Sequence, residues 1–388
     1  MPTTLIHAGR VLTPTSEISD AGILLRDDVI EAIGPRNSLS LPAGAREVPA
    51  TEKTAIPGFI DIHIHGAGGR DVMEATGDAL GALTRKVAEF GTTSLLATTI
   101  TAMPEETCRA AAGISLYITQ QHAAKESRAE VLGIHFEGPF ISKTRRGVHP
   151  PEWIQSPSEA LLKRFLDAAE GNARLITIAP EVLGATPCIE AARNAGLVVS
   201  VGHTDANYEQ TRFAIAHGAR SATHTYNAMR PFTHRDPGVI GAVLTSPEIH
   251  AELIADGVHV EEGAMKLLLR AKGHERVILV SDGLSATGMP DGKYMLGSFE
   301  VTVTNGVCRN AAGILAGSTL TLDRALRNIA NLGVPLTDAV RMLTLNPASL
   351  LGIEFKKGSL RPGADADVVL LDRSLRVTDV WARGLPVH

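Results

Sequence analysis

An alternation in the middle of the chain constrains its fold more than any other feature. Short apolar runs recur there, separated by helical patterns of about 10–15 residues, the signature of βα units around a parallel sheet. Eight runs can be delimited: Phe59–Ile64, Ser94–Ile100, Val131–Phe136, Leu175–Ala179, Leu197–Val201, Ala219–Thr223, Ala251–Ala255 and Val277–Val280. Eight units over roughly 290 residues match a (β/α)8 TIM-like barrel, typically about 250 residues with room for insertions. A doubly wound open sheet is the competing topology. Two helix starts are marked. Ser156-Pro157-Ser158-Glu159 reads as a capping box ahead of Ala160–Ala169, and Thr186-Pro187 opens a helix that ends at Gly196.

The two ends of the chain read differently. Ile23–Leu25 and Val29–Ile33 are β-prone runs flanking Asp27-Asp28, and Val368–Leu371 and Arg376–Trp381 follow turn signals near the C-terminus. The expected organisation is therefore a small β-sandwich domain built from residues 1–57 together with 357–388, and a barrel catalytic domain over residues 58–356.

What ends the apolar runs is chemically more telling than the runs themselves. The first closes on Asp61-Ile62-His63-Ile64-His65, the third on His135-Phe136-Glu137, the fifth on Gly202-His203, the sixth on His224 and the eighth on Ser281-Asp282. In a TIM barrel the active site lies at the C-terminal ends of the strands. His63 and His65, two apart on a strand, share a face. Each residue alone has an ordinary explanation: a hydrogen-bonded core histidine, a helix-capping glutamate, a turn aspartate. Together, four histidines and two carboxylates at strand ends suit a hydrolytic divalent metal site of Zn, Fe or another transition metal. His135, two residues before Glu137, either joins the site or supports its ligands, and is left out of the candidate set.

Composition narrows the partners. The formal net charge is −5 with both signs interspersed, which argues against nucleic acid and against an anionic membrane surface. No apolar stretch reaches the length of a membrane span. Cys108, Cys188 and Cys308 are isolated, so a disulfide framework is not expected, and a cytoplasmic location is. No P-loop or G-x-G-x-x-G occurs. Gly283-Leu284-Ser285-Ala286-Thr287-Gly288 has one residue too many for a serine nucleophile elbow.

The sequence resembles the amidohydrolase superfamily along nearly its whole length. The general signatures are Pro57–Gly66 and the returning tail Asn346-Pro347-Ala348 with Gly363–Asp367. More specific are His135-Phe136-Glu137-Gly138-Pro139-Phe140 and His224-Thr225-Tyr226-Asn227-Ala228-Met229. These are similar to the N-acetylglucosamine-6-phosphate deacetylase family. That resemblance implies hydrolysis of the acetamide of a phosphorylated amino sugar, with one or two divalent metals per subunit. It implies Glu137, His203 and His224 as the principal metal site and His63 and His65, near Asp282, as ligands of a second. Asp282 would be the acid/base, and His149 would contact the sugar and the acetyl carbonyl. Val148, Asn227, Ala228, Asp256, His259, Leu315, Ala316 and Gly317 match substrate-contacting positions. Arg235 would bind the phosphate from the neighbouring subunit of a homodimer.

Without the resemblance, Arg235 reads as a solvated loop residue paired with Asp236, and Leu315–Gly317 as a capped loop before a helix from Thr319. Three rivals remain: the N-acetylgalactosamine-6-phosphate epimer as substrate, another amidohydrolase, and a catalytically silent barrel acting as a binding protein. The third is expected to lack ligands, and here all are present.

Overall fold

The computed structural model describes residues 3–124 and 126–387. At its centre eight parallel strands stand in sequence order: β1 Phe59–Ile64, β2 Thr92–Thr99, β3 Glu130–Glu137, β4 Ala173–Ile178, β5 Val198–Val201, β6 Ala219–Ala222, β7 His250–Leu253 and β8 Val277–Leu279. The last returns to the first. The N–H of His65 donates to the Gly283 carbonyl at 2.7 Å and that of Asp282 to the His63 carbonyl at 2.9 Å, beside a parallel bridge between Ile64 and Gly283. A helix follows each strand, so the architecture is a (β/α)8 barrel and the open-sheet alternative falls.

The strand alternation orients the chemistry. On β1, Ile60, Ile62 and Ile64 are buried against the helical layer, each such burial contributing about 1.5–3 kcal/mol. The residues between them, Asp61 and His63, therefore face the barrel interior, with His65 just past the strand end. The first-turn detail of one helix differs from expectation. Ser158, not Ser156, caps Glu159–Ala168 by accepting the Leu161 N–H, because Pro157 lies outside the helix. Likewise the helix expected from Thr319 begins at Leu322, since Ser318 to Leu320 still run along the rim.

Both termini feed a second, seven-stranded sheet in which Arg46–Pro57 lies between Thr3–Leu12 and Val368–Leu371. It wraps on itself: Ile30 N–H donates to the Ala364 carbonyl at 2.8 Å, and Ile6, Ile23, Val368 and Trp381 share one core. A third element was not foreseen. Gly292–Leu296, Phe299–Thr304 and Val307–Asn310 form an antiparallel meander after β8, packed through Leu296, Val301 and Val303 on Ile100, Leu284 and Ala316 beside the barrel mouth.

Candidate active site

Six of the expected residues converge at the C-terminal rim. Glu137, the last residue of β3, is the hub. Its Oε1 lies 3.1 Å from His203 Nε2, 3.0 Å from His224 Nε2 and 3.3 Å from His63 Nε2, and its Oε2 lies 3.1 Å from His65 Nε2. Asp282 Oδ1 stands 3.5 Å from His63 Nε2 and 3.4 Å from His65 Nε2. Two sets of donor atoms result, Glu137–His203–His224 and His63–His65–Asp282, each close enough to share one ion, and all six residues are buried.

Backbone conformation contributes to this convergence. His203, His224 and Asp282 have φ values of 46°, 29° and 48°, a left-handed region that costs non-glycine residues of order 1–3 kcal/mol each. Such strain persists where the surrounding structure over-determines it. Here it turns each side chain inward as its strand ends.

The chemistry of the donors fits a cation. His65 Nδ1 donates to the Thr98 carbonyl at 3.1 Å and His203 Nδ1 to the Arg145 carbonyl at 3.0 Å, which leaves each Nε2 as a lone pair. His63 Nδ1 donates to Glu252 at 3.2 Å with the same result. Yet His63 Nε2 and His65 Nε2 face each other at 3.3 Å, as do His203 and His224 Nε2 at 3.0 Å. Opposed lone pairs repel unless positive charge lies between them. Between His63 and His65, protons supply it when no metal is bound. Burial disfavours charge on His63 and His65, but Glu137 and Asp282 outweigh it, raising His63 well above its ordinary range and His65 to about 9. Conversely, burial opposes the two carboxylates' charge, and the histidines hold both well below the usual range. Burial and the neighbouring His149 push His203 down to about 4. A divalent cation in each set answers the same demand.

Seven of the ten remaining expected residues surround a cavity of about 210 Å³, lined by Val148, His149, Asn227, Ala228, His259, Leu315 and Gly317 beside these ligands. His149 Nδ1 accepts the Thr101 N–H at 3.3 Å, so its Nε2 carries the proton and is a donor toward the site. His259 is held by Asp256, which accepts its Nδ1–H at 2.7 Å; burial opposes its charge, but this bond raises its pKa. Asp256 thus stands behind His259 and not on the cavity wall. Ala316 packs its methyl into the meander's core, between wall residues Leu315 and Gly317. Arg235 is exposed at the loop tip; the Asp236 expected to pair with it is held by Arg230 at 2.6 Å.

The structure adds supporting groups around these residues. Glu252, inside β7, touches His63. Asp61 accepts the N–H groups of His63 and Ser281 at 3.3 Å each, and burial raises its pKa to about 6. Leu296 of the meander joins the cavity wall. His135 donates to the Ile62 carbonyl at 3.1 Å and accepts from Thr177 at 2.9 Å, with its ring 4.8 Å from that of His63, a supporting position. A larger cleft of about 530 Å³ lies between the meander and the rim, lined by Met73, Met103, Trp153 and Phe299 among others. It lacks converging ligands, so the chemistry belongs to the smaller cavity.

Fold and site together define a class: a (β/α)8 barrel with two adjoining groups of side chains at its C-terminal rim that could each hold a cation. The chain belongs to the amidohydrolase family, whose sequence model matches residues 54–387. It is 39% identical to an N-acetylgalactosamine-6-phosphate deacetylase of Escherichia coli O157:H7, covering 98% of both chains. It is 38% identical to an N-acetylglucosamine-6-phosphate deacetylase of Vibrio furnissii, covering 97% of this chain and 93% of that one. Among solved structures it is similar to a mutant N-acetyl-D-glucosamine-6-phosphate deacetylase from Mycobacterium smegmatis in complex with N-acetyl-D-glucosamine-6-phosphate, with a TM-score of 0.91, 38% identity and full coverage of both chains.

Proposed function

We propose that the chain hydrolyses the acetamide of N-acetyl-D-glucosamine 6-phosphate, releasing D-glucosamine 6-phosphate and acetate. The observation that carries this reading is the meeting of both donor sets at Glu137, beside a cavity walled by His149 and His259. The deacetylase named for the solved relative supports the substrate. One or two divalent cations per subunit, zinc, iron or another transition metal, would be held by Glu137, His203 and His224 and by His63, His65 and Asp282. Such a cation lowers the pKa of water toward about 7 and polarises a carbonyl.

The chain's own groups complete the chemistry. Asp282 takes a proton from the attacking water and delivers it to the sugar nitrogen as the C–N bond breaks. His149 donates its Nε2–H to the acetyl oxygen as negative charge builds there. Raised in pKa by Asp256, His259 offers a donor to the sugar phosphate. Arg235, unpaired by Asp236 and exposed, suits bidentate phosphate binding in the active site of a second subunit. Among the described residues no helix is long and apolar enough to cross a membrane.

The test is acetate release by the purified protein from the glucosamine and galactosamine 6-phosphate epimers side by side. Preferential release from the former is expected. Preference for the latter would give the chain the activity named for its Escherichia coli relative, and release from neither would overturn the substrate class. Arg235→Ala should raise KM for the phosphorylated sugar by about 10-fold or more, the scale of a lost charged hydrogen bond, and leave an unphosphorylated analogue unaffected; equal effects on both would remove its phosphate role.

A further inference from the structure

Glu252 is fully buried on β7, and no lysine or arginine pairs with it among the described residues. Its Oε2 accepts the Nδ1–H of His63 at 3.2 Å and the backbone N–H of His224 at 3.2 Å, while its Oε1 accepts the Ser221 hydroxyl at 3.3 Å. Barrel interiors are filled mainly by branched aliphatic side chains, and a buried carboxylate is costly unless bonded and paired. The placement of Glu252 therefore needs a reason beyond packing.

The reason lies in what it does to His63. An imidazole presents a lone pair at Nε2 when Nδ1 holds the proton, and a carboxylate at Nδ1 fixes that tautomer and raises the basicity of the ring. His65 and His203 receive the same service from neutral carbonyls, those of Thr98 and Arg145. Among these three ligands, His63 alone is backed by a carboxylate. Its ring is also confined edge-to-face against His135, with centroids 4.8 Å apart. Toward the other donor set the contact of Glu252 is to the backbone of His224, not to its ring, so that ring's tautomer does not depend on Glu252.

We propose that Glu252 is a positioning residue that equips His63, and through it the set His63–His65–Asp282, to hold a second divalent cation. The inference rests on the metal-dependent reading above. Metal-free wild-type protein should be titrated with Mn(II), counting equivalents by elemental analysis and following spin coupling between paired ions by electron paramagnetic resonance. Wild type should take up two equivalents per chain and show the coupled signal. Glu252→Gln keeps the shape and one acceptor oxygen, and Glu252→Ala keeps neither. The second equivalent should weaken by about 10-fold in the first variant and about 100-fold in the second, with the first equivalent changed by less than about 3-fold. Graded loss of the coupled signal from wild type through Gln to Ala would support the role; if the alanine variant does not fold, the glutamine variant carries the test. Two equally tight equivalents in the variants, or a single equivalent in wild type, would overturn the inference and leave deacetylation standing. Absence of acetate release by wild type, with the graded metal loss intact, would overturn the substrate instead.

Discussion

Strand β3 begins and ends on a buried glutamate, and the two ends of the barrel neutralise that charge differently. At the start, Glu130 faces Lys357 Nζ at 2.7 Å, which also meets Asp365 at 2.9 Å and Asp367 at 2.8 Å. Burial disfavours the ammonium, but the three carboxylates outweigh it and hold its pKa well above the lysine range. At the far end, Glu137 meets imidazole nitrogens that are themselves lone-pair donors. One cluster contains its own cation and ties the barrel to the terminal sheet. The other is built as though the cation comes from solution. A buried charge cluster that is complete is a structural clamp; one that is incomplete in the same way from several directions is a binding site.

The contrast can be broken or sharpened experimentally. The largest effect should come from chelation: removing metal should abolish acetate release, restored by added divalent ion, while far-UV circular dichroism stays unchanged. Activity that survives exhaustive chelation would end the reading of the rim as a cation site. Next, Asp282→Asn should lower kcat by at least about 10²-fold, the scale of a general acid/base, with the equivalent of metal held by Glu137, His203 and His224 retained in elemental analysis. Near-normal turnover would remove Asp282 from proton transfer. The mirror experiment is Lys357→Met, which strands three carboxylates. It should cost about 3–5 kcal/mol in denaturant unfolding, as for other broken buried pairs, with kcat of the folded enzyme unchanged. A stability loss at Lys357 with no catalytic loss, opposite to the pattern at Asp282, would separate clamp from site.

The smallest effect concerns pH. Burial opposes charge on His65, but Asp282 and Glu137 push its pKa up to about 9, above its ordinary value of 6.5. Its contribution to stability is therefore complete below about pH 6.5 and is lost as pH rises through about 9. Metal must displace that proton and the one on His63, so apparent affinity should tighten by about tenfold per pH unit for each proton displaced as pH rises across this range. Calorimetric titration across pH 6.5–9.5 checks it; a flat profile would mean that the site holds no displaceable proton.

How much of this was legible before folding follows from the range of each interaction. Phe59–Ile64 was delimited at both ends because a buried strand is a local apolar pattern closed by polar residues. The meander after β8 was missed although Asn305-Gly306, flanked by Phe299, Val301 and Val303, is a good hairpin signal. Its strands alternate between buried and exposed residues, unlike the continuous runs of the barrel. Glu252 went unnoticed because a glutamate inside Ala251–Ala255 looks like an interruption of a strand. Only its contact with His63, nearly two hundred residues away, gives it meaning.

The number of barrel strands, their ends to within about two residues and the residue types placed on them were determined by the amino-acid sequence alone, because side-chain alternation and helical periodicity act over a few residues, whereas the order of the strands in the sheet was not. Resemblance to known families added roles to those positions. Tertiary structure decided the rest: which nitrogen of each histidine faces inward, that both donor sets meet on Glu137, that Asp256 backs His259, and that Asp236 is taken by Arg230. The physical reason is that these depend on closure of β8 onto β1 and on strand register, which bring residues as far as 220 positions apart within hydrogen-bond distance. Glu130 and Glu137 look alike in the sequence; what stands opposite each, an ammonium or a ring of lone pairs, is settled only when the barrel closes.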